Sequence, residues 1–310
     1  MPVTPHQGIL DRKESEKLIN EHFSDQVKLL REMVNYGTNL IVRVYESSKH
    51  ELADAILCGV LLKQIVTMVD AVETLISSGA IHAAQLPARA AFEASLYLEW
   101  MLFSDLENKA RYYYVSNLRQ ERTWALRCSK GSPEHQSFSE VTASLGIDYL
   151  SDEPSLVTDS VKNLENINSI LAQPEFSQID QELERIKTKR KRGEPNWYVP
   201  LGIRSIRDMA KQLQRLPEYQ LFYSKGSEVT HSAAYKDHLH IGSEQLKFKP
   251  IRSLEGVDIL LSFTYSITIG CYDMTLKYYR PKEVLRFYKH YMQEWRDPFL
   301  NIKKVKMSSS

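Results

Sequence analysis

Five polar side chains recur at a constant step of four in the stretch YQLFYSKGSEVTHSAAYKDHLH, residues 219 to 240: Tyr219, Tyr223, Ser227, His231 and Tyr235. On an α-helix that step is slightly more than one turn, so neighbours stack on adjoining turns. Each step also rotates by about 40°, so the two ends of the row leave the shared surface. The middle three, Tyr223, Ser227 and His231, offer a phenol, a hydroxyl and an imidazole to one opposing helix, and Gly226 permits close approach. An imidazole titrates near neutrality and suits acid–base chemistry, whereas the hydroxyls suit binding.

A second row lies in RAAFEASLYLEW, where Arg89, Glu93 and Tyr97 share one face of an otherwise apolar helix. Charges taken out of water there cost several kcal/mol each unless partners compensate. Two explanations are open. A structural ion pair near a helix end needs no function. If instead the two rows face each other, Arg89, Glu93 and His231 are the catalytic candidates, with Arg89 steadying a phosphate and His231 as acid or base. Tyr223, Ser227 and Tyr97 are then the ligand-binding candidates. For any one of these rings alone, a satisfied core residue is the commoner outcome.

The segment RIKTKRKRGEPNWY concentrates positive charge, six of residues 185 to 192 being Lys or Arg. Lys187, Lys189, Arg190, Lys191 and Arg192, with Trp197 after a turn, combine phosphate attraction with a ring for base stacking. The bland alternative is a solvated basic helix end, favoured by the helix dipole, with Gly193 placed to stop the helix. His238 and His240 form H-x-H, but on a continuous helix His231 is two turns from His238, roughly 10 Å along the axis, too far to share one ion. No metal site and no cofactor is expected. No Gly-rich phosphate loop, G-x-S-x-G elbow or H-E-x-x-H occurs. Helical ribonucleases of the HEPN type pair an Arg and a His with four to six residues between them, and Arg43 with His50 is a formal match of the kind that chance supplies.

Lys+Arg 40 against Asp+Glu 39 leaves a formal charge of +1, so net charge alone argues for neither nucleic acid nor membrane. Cys58, Cys128 and Cys271 are far apart and without C-x-x-C spacing, which fits a reducing cytosol rather than a disulfide framework. MPVTPHQGILDRKESEK lacks the apolar core of a signal peptide. VDILLSFTYSITIGCYDMTL is interrupted by Asp258, Gly270 and Asp273 and reads as a core helix rather than a membrane span.

Apolar residues recur every three or four positions through most of the chain, and the predicted fold is all-α, an antiparallel long-helix bundle with an irregular helical insertion. A first helix is expected from about Asp11 to Glu46. A capping box at Ser48 and Glu51 opens a second that Gly79 ends, and Pro87 begins or kinks a third over 80 to 103. Residues 1–128 form the first half of the bundle. Residues 129–203, punctuated by KGSPEHQ, SDEPS and RGEPNWYVPLG, form the insertion with its basic segment. Residues 204–300 complete the bundle, with a loop over IGSEQLKFKPIRSLEG and a long helix over about 254 to 279. Residues 301–310 form a loose tail.

An R-x-x-x-E pair in an apolar helix, followed over a hundred residues later by Y-x-x-x-S-x-x-x-H, resembles the family of helical, mostly microbial proteins catalogued as domain of unknown function 5677. The matching residues are Arg89, Glu93, Tyr223, Ser227 and His231, and the resemblance spans roughly 50 to 280. It implies an all-α fold and a shared polar cluster, and no activity. The residues thus leave two functions open: a binding or regulatory module for a small polar ligand, or a metal-independent ribonuclease of the toxin or defence kind acting on RNA. A homodimer is a further way to assemble the cleft.

Overall fold

The computed structural model describes residues 3–144, 154–190, 193–230, 235–241 and 246–305. Among the described residues the protein is all-α apart from one two-stranded antiparallel sheet, and the chain divides into two compact units, Met1–Ser104 with Ile206–Ser310 and Asp105–Ser205.

In the first unit, α1 (Arg12–Glu46) is capped by Asp11, whose carboxylate accepts the Glu14 N–H at 3.0 Å. Its buried stripe, Leu30, Met33, Leu40 and Val44, follows the three-and-four spacing of an amphipathic helix. The next helix, α2 (Leu52–Ser77), opens with a capping box at Glu51 and Asp54 rather than at Ser48 and Glu51. The shift is set by His50, which takes φ +60° and delays the helix, while the Ser48 hydroxyl accepts the His50 N–H. The α2 C-terminus is a Schellman motif. Gly79 at φ +76° donates to Ile76 O and Ala80 donates to Leu75 O.

Helix α3 (Ile81–Phe103) contains Pro87 and continues past it. It packs on α2, on α8 (Ile206–Gln212), on α9 (residues 216–230) and on α11 (Val257–Tyr279), so it is the central element of this unit. Helix α9 begins as Leu216–Glu218, passes through a π-helical turn at Tyr219–Tyr223 and ends as Ser224–Thr230. A short helix, α10 (Tyr235–His238), leads into β1 (Leu239–Ile241), paired with β2 (Leu246–Phe248). Strand β2 lies in the stretch expected as a loop, and β1 ends at its first residue. Three-residue strands carry too little alternation to stand out in sequence.

Helix α11 is fixed to α1 by phenols. Tyr265 donates to Gln26 O and Tyr272 to Met33 O, and burial pushes the pKa of both up. A Cβ at Gly37 would collide with Tyr272 and stand 2.6 Å from Val66 Cγ2, so glycine is required for that approach. Helix α2 and helix α11 are long and apolar enough to cross a membrane by length and composition, but 50% and 61% of their apolar windows are buried inside the protein.

In the second unit, α4 (Leu106–Cys128) is central and packs on α5 (Pro133–Ser144), α6 (Pro154–Leu171) and α7 (Pro174–Arg190). These contacts group α4 with the segments that follow it, so the second unit opens at Asp105, where sequence punctuation put the change at 129.

Candidate functional site

The two rows meet within the first unit. The Arg89 Nη2 donates to the Tyr223 hydroxyl at 3.1 Å, and that hydroxyl donates to Glu93 Oε2 at 3.1 Å. Tyr97 donates to Glu93 Oε1 at 2.8 Å, one turn along α3. The guanidinium also lies over the Tyr223 ring, 4.4 Å from its centroid, a cation–π contact. Burial raises the Tyr223 pKa, with Arg89 opposing and Glu93 reinforcing the shift, so the phenol stays protonated and able to bridge the two charges. Tyr219 stacks on Tyr223 at 4.9 Å across the π-helical turn, whose i→i+5 bonding brings side chains four apart nearer to eclipse than an α turn would.

The second hydroxyl on Arg89 comes from Thr230, which accepts from Nη1 at 2.9 Å and itself donates to Gly226 O at 2.8 Å. Ser227 is half-buried on the same helix and takes no part in these bonds. The reason is angular. Seven residues of α-helix return to within about 20° of the start, whereas four overshoot by about 40°. The face that Tyr223 turns to α3 therefore continues through Gly226 and Thr230. Gly226 is buried, and a Cβ on it would stand 3.0 Å from Arg89 Cβ and 3.1 Å from its Cδ, so the close approach expected there is realised. His231 lies outside the described residues, as do Lys191 and Arg192. Tyr235 is exposed on α10.

Two polar atoms of this region are buried with no hydrogen-bond partner among the described residues: Arg89 Nε and Gln85 Oε1. Both residues line a cleft of about 250 Å³ between α3, α9 and the start of α11. Its walls are apolar, with Ala88, Phe222, Leu260 and Phe263, and exposed Leu221 and Ile259 at the rim. Phe222 and Phe263 stack at 3.7 Å. Lys225 completes the lining and makes no ion pair among the described residues. Gln85 was legible in principle, because it extends the Arg89, Glu93, Tyr97 row back by one more step of four. Lys225 carries no such signal.

One turn beyond the cluster, Arg215 shows a finished version of the same chemistry. Its nitrogens reach Ser95 and Glu99 at 3.0 Å and Glu218 at 2.6 and 2.8 Å, and it lies 4.9 Å over Phe92. Burial raises the Glu99 pKa in spite of Arg215. At the N-terminal end of α3, His82 Nδ1 lies 3.5 Å from Asp237 Oδ2, with the His238 ring edge-on at 4.9 Å. Burial holds the His82 pKa down against the pull of Asp237. Among the described residues no three His, Cys, Asp or Glu side chains are grouped to hold a metal ion.

In the second unit the basic segment ends α7, with Lys187, Lys189 and Arg190 in its last turn. Lys189 and Arg190 are exposed, whereas Lys187 pairs with Glu194 at 2.7 Å. Trp197 departs from the expected role. It is 6% exposed and packs edge-on against Tyr113, so it is a core ring and not a stacking surface for bases. Sequence reasoning also missed Arg119, which is 1% exposed and bonded to Asp180, Glu184 and Glu194.

A family model described as a family of unknown function (DUF5677) matches residues 54–245. No curated protein and no solved structure matches the chain. The matched segment covers more than half of the sequence and includes both sides of the Arg89–Glu93–Tyr223 cluster. This chain, whose two polar rows meet across α3 and α9, belongs to the DUF5677 family.

Proposed function

We propose that the protein is a ligand-binding module, with the Arg89–Tyr223–Glu93–Tyr97 network as a rigid frame and the adjoining cleft as the site that a small polar ligand occupies. The observation that carries this reading is the pair of buried atoms without a partner among the described residues, Arg89 Nε and Gln85 Oε1, on two of the side chains that line that cleft. A buried polar group without a partner costs about 1–3 kcal/mol, which a ligand supplying one donor and one acceptor would recover. Concave, largely apolar sites with a few converging polar groups are where small molecules bind, and this one is below the roughly 300 Å³ at which drug-sized ligands fit. Ligand-observed NMR with a library of small molecules tests the reading. Binders should show contacts to Phe222 and Phe263, and a library whose binders all contact other surfaces contradicts it.

The ribonuclease reading, with Arg89 and His231 acting on RNA, draws weaker support. Both terminal nitrogens of Arg89 are engaged by Thr230 and Tyr223, and Lys189 and Arg190 remain as exposed cations that could meet a phosphate. Incubating a mixed RNA pool with wild type and with Arg89→Ala tests it, equal absence of cleavage counting against it. Three buried, unpaired cysteines are consistent with a cytosolic location.

A further inference from the structure

We infer that the ligand of the Arg89 cleft is a compact ring carboxylate bearing an N–H or O–H donor, an inference that rests on the cleft being a ligand site. Charge is the first argument. Arg89 and Lys225 are the charged residues lining the cleft, and none of its described lining residues is Asp or Glu. Neither cation has a direct counter-ion among the described residues. Arg89 bonds only to the neutral hydroxyls of Thr230 and Tyr223, and Glu93 is reached through the phenol. Lys225 and Gln85 also line the adjoining cleft around His82 and His238, whose carboxylates Asp237 and Glu255 pair with His82 and Lys249 and not with Lys225.

Stoichiometry of donors is the second argument. Arg89 Nε–H and the Lys225 ammonium supply donors for the two oxygens of a carboxylate. Gln85 Oε1 is an acceptor in the same wall, so an oxygen without hydrogen placed against it is repelled, which disfavours a polyanion and calls for an N–H or O–H on the ligand. The third argument is shape. Phe222, Phe263 and Ala88 give an apolar wall for a ring, and about 250 Å³ limits the ligand to a small one.

Calorimetric titration of the full chain with matched ring acids and their neutral amides tests this, beginning with indole-2-carboxylate, indole-2-carboxamide and benzofuran-2-carboxylate. The indole acid should bind most tightly. The amide, lacking charge, should be weaker by about tenfold or more, and the benzofuran acid, lacking the N–H, by about threefold to tenfold. Lys225→Met, at an exposed position, should bring the acid down towards the level of its amide. Amides binding as well as acids, in the cleft, would overturn the carboxylate assignment and leave the ligand site standing. No member of the paired panel binding at all would overturn both.

Discussion

Arg119 in the second unit and Arg89 in the first are both helical arginines held in hydrogen-bond networks, and they are satisfied in opposite ways. Every nitrogen of Arg119 meets a carboxylate: Nη1 reaches Asp180 at 2.5 Å, Nη2 reaches Glu184 at 2.6 Å and Nε reaches Glu194 at 2.9 Å. Arg122 and Lys187 add two further cations on Asp180 and Glu194, so the cluster balances its own charge. Burial works against the Arg119 charge, but these bonds outweigh it and raise its pKa above the ordinary value. Arg89 instead has two hydroxyls, a ring and one nitrogen with no partner among the described residues, beside a cleft. A network that closes on itself serves architecture. One left open on a cavity wall is suited to a visitor.

The largest expected effect follows from that contrast. Arg119→Met leaves three carboxylates without their common partner and should lower the stability of the second unit by about 3–5 kcal/mol, read by urea unfolding with buried Trp197 as reporter. Arg89→Met should cost only about 1–2 kcal/mol, because its partners are neutral hydroxyls that keep other bonds. Equal losses would break the comparison.

Acid separates the two units in sign. In Glu194, burial pushes the carboxyl pKa up, but hydrogen bonds from Arg119 and Lys187 outweigh that and hold it below the usual carboxylate range. A folded-state pKa below the unfolded one contributes stability that is complete above about pH 5 and is lost as pH falls through the lowered value. Glu99 in the first unit is raised by burial, so its contribution runs the other way and weakens as pH rises through that raised value. Hydrogen exchange measured at falling pH should therefore show the helices around Arg119 losing protection at Glu194's titration, and Glu194→Gln should remove that component. Unchanged acid sensitivity in Glu194→Gln would contradict it.

Smaller effects sharpen the geometry at Arg89. Gly226→Ala puts a methyl 3.0 Å from Arg89 Cβ and should cost about 1–2 kcal/mol in thermal unfolding, despite the usual gain of alanine in a helix. Tyr223→Phe removes the hydroxyl that joins Arg89 to Glu93 and should cost about 1 kcal/mol by the same assay. Ser227→Ala should stay within about 0.5 kcal/mol. A larger loss for Ser227 than for Tyr223 would mean that the hydroxyl partner of Arg89 is misassigned.

Much of this was legible in the sequence, for reasons that particular residues make plain. The start of α1 was marked by Asp11 and its end by Glu46, because capping chemistry and three-and-four periodicity are local. Arg89 and Glu93 stood out because charge inside an apolar helix demands partners, and the opposing row was found by its spacing. Thr230 was hidden because the row was read at a step of four, while the surface facing α3 follows a step of seven from Tyr223. Arg119 was hidden for a different reason. Its helix, DLENKARYYYVSNLRQERTWALR, is polar on several faces, and only the fold decides which of its arginines is buried. Trp197 was misread because a basic run precedes it in sequence, while in space its ring packs edge-on against Tyr113, far away in the chain.

The ε-NH resonances of the arginines, followed by proton–nitrogen NMR during titration with indole-2-carboxylate, test the central claim most directly, with Arg119 as an internal control. The Arg89 ε-NH should shift and exchange more slowly with water as its nitrogen acquires an acceptor, while the Arg119 ε-NH, already bonded to Glu194, stays in place. Saturable binding that leaves the Arg89 ε-NH unmoved would contradict the account.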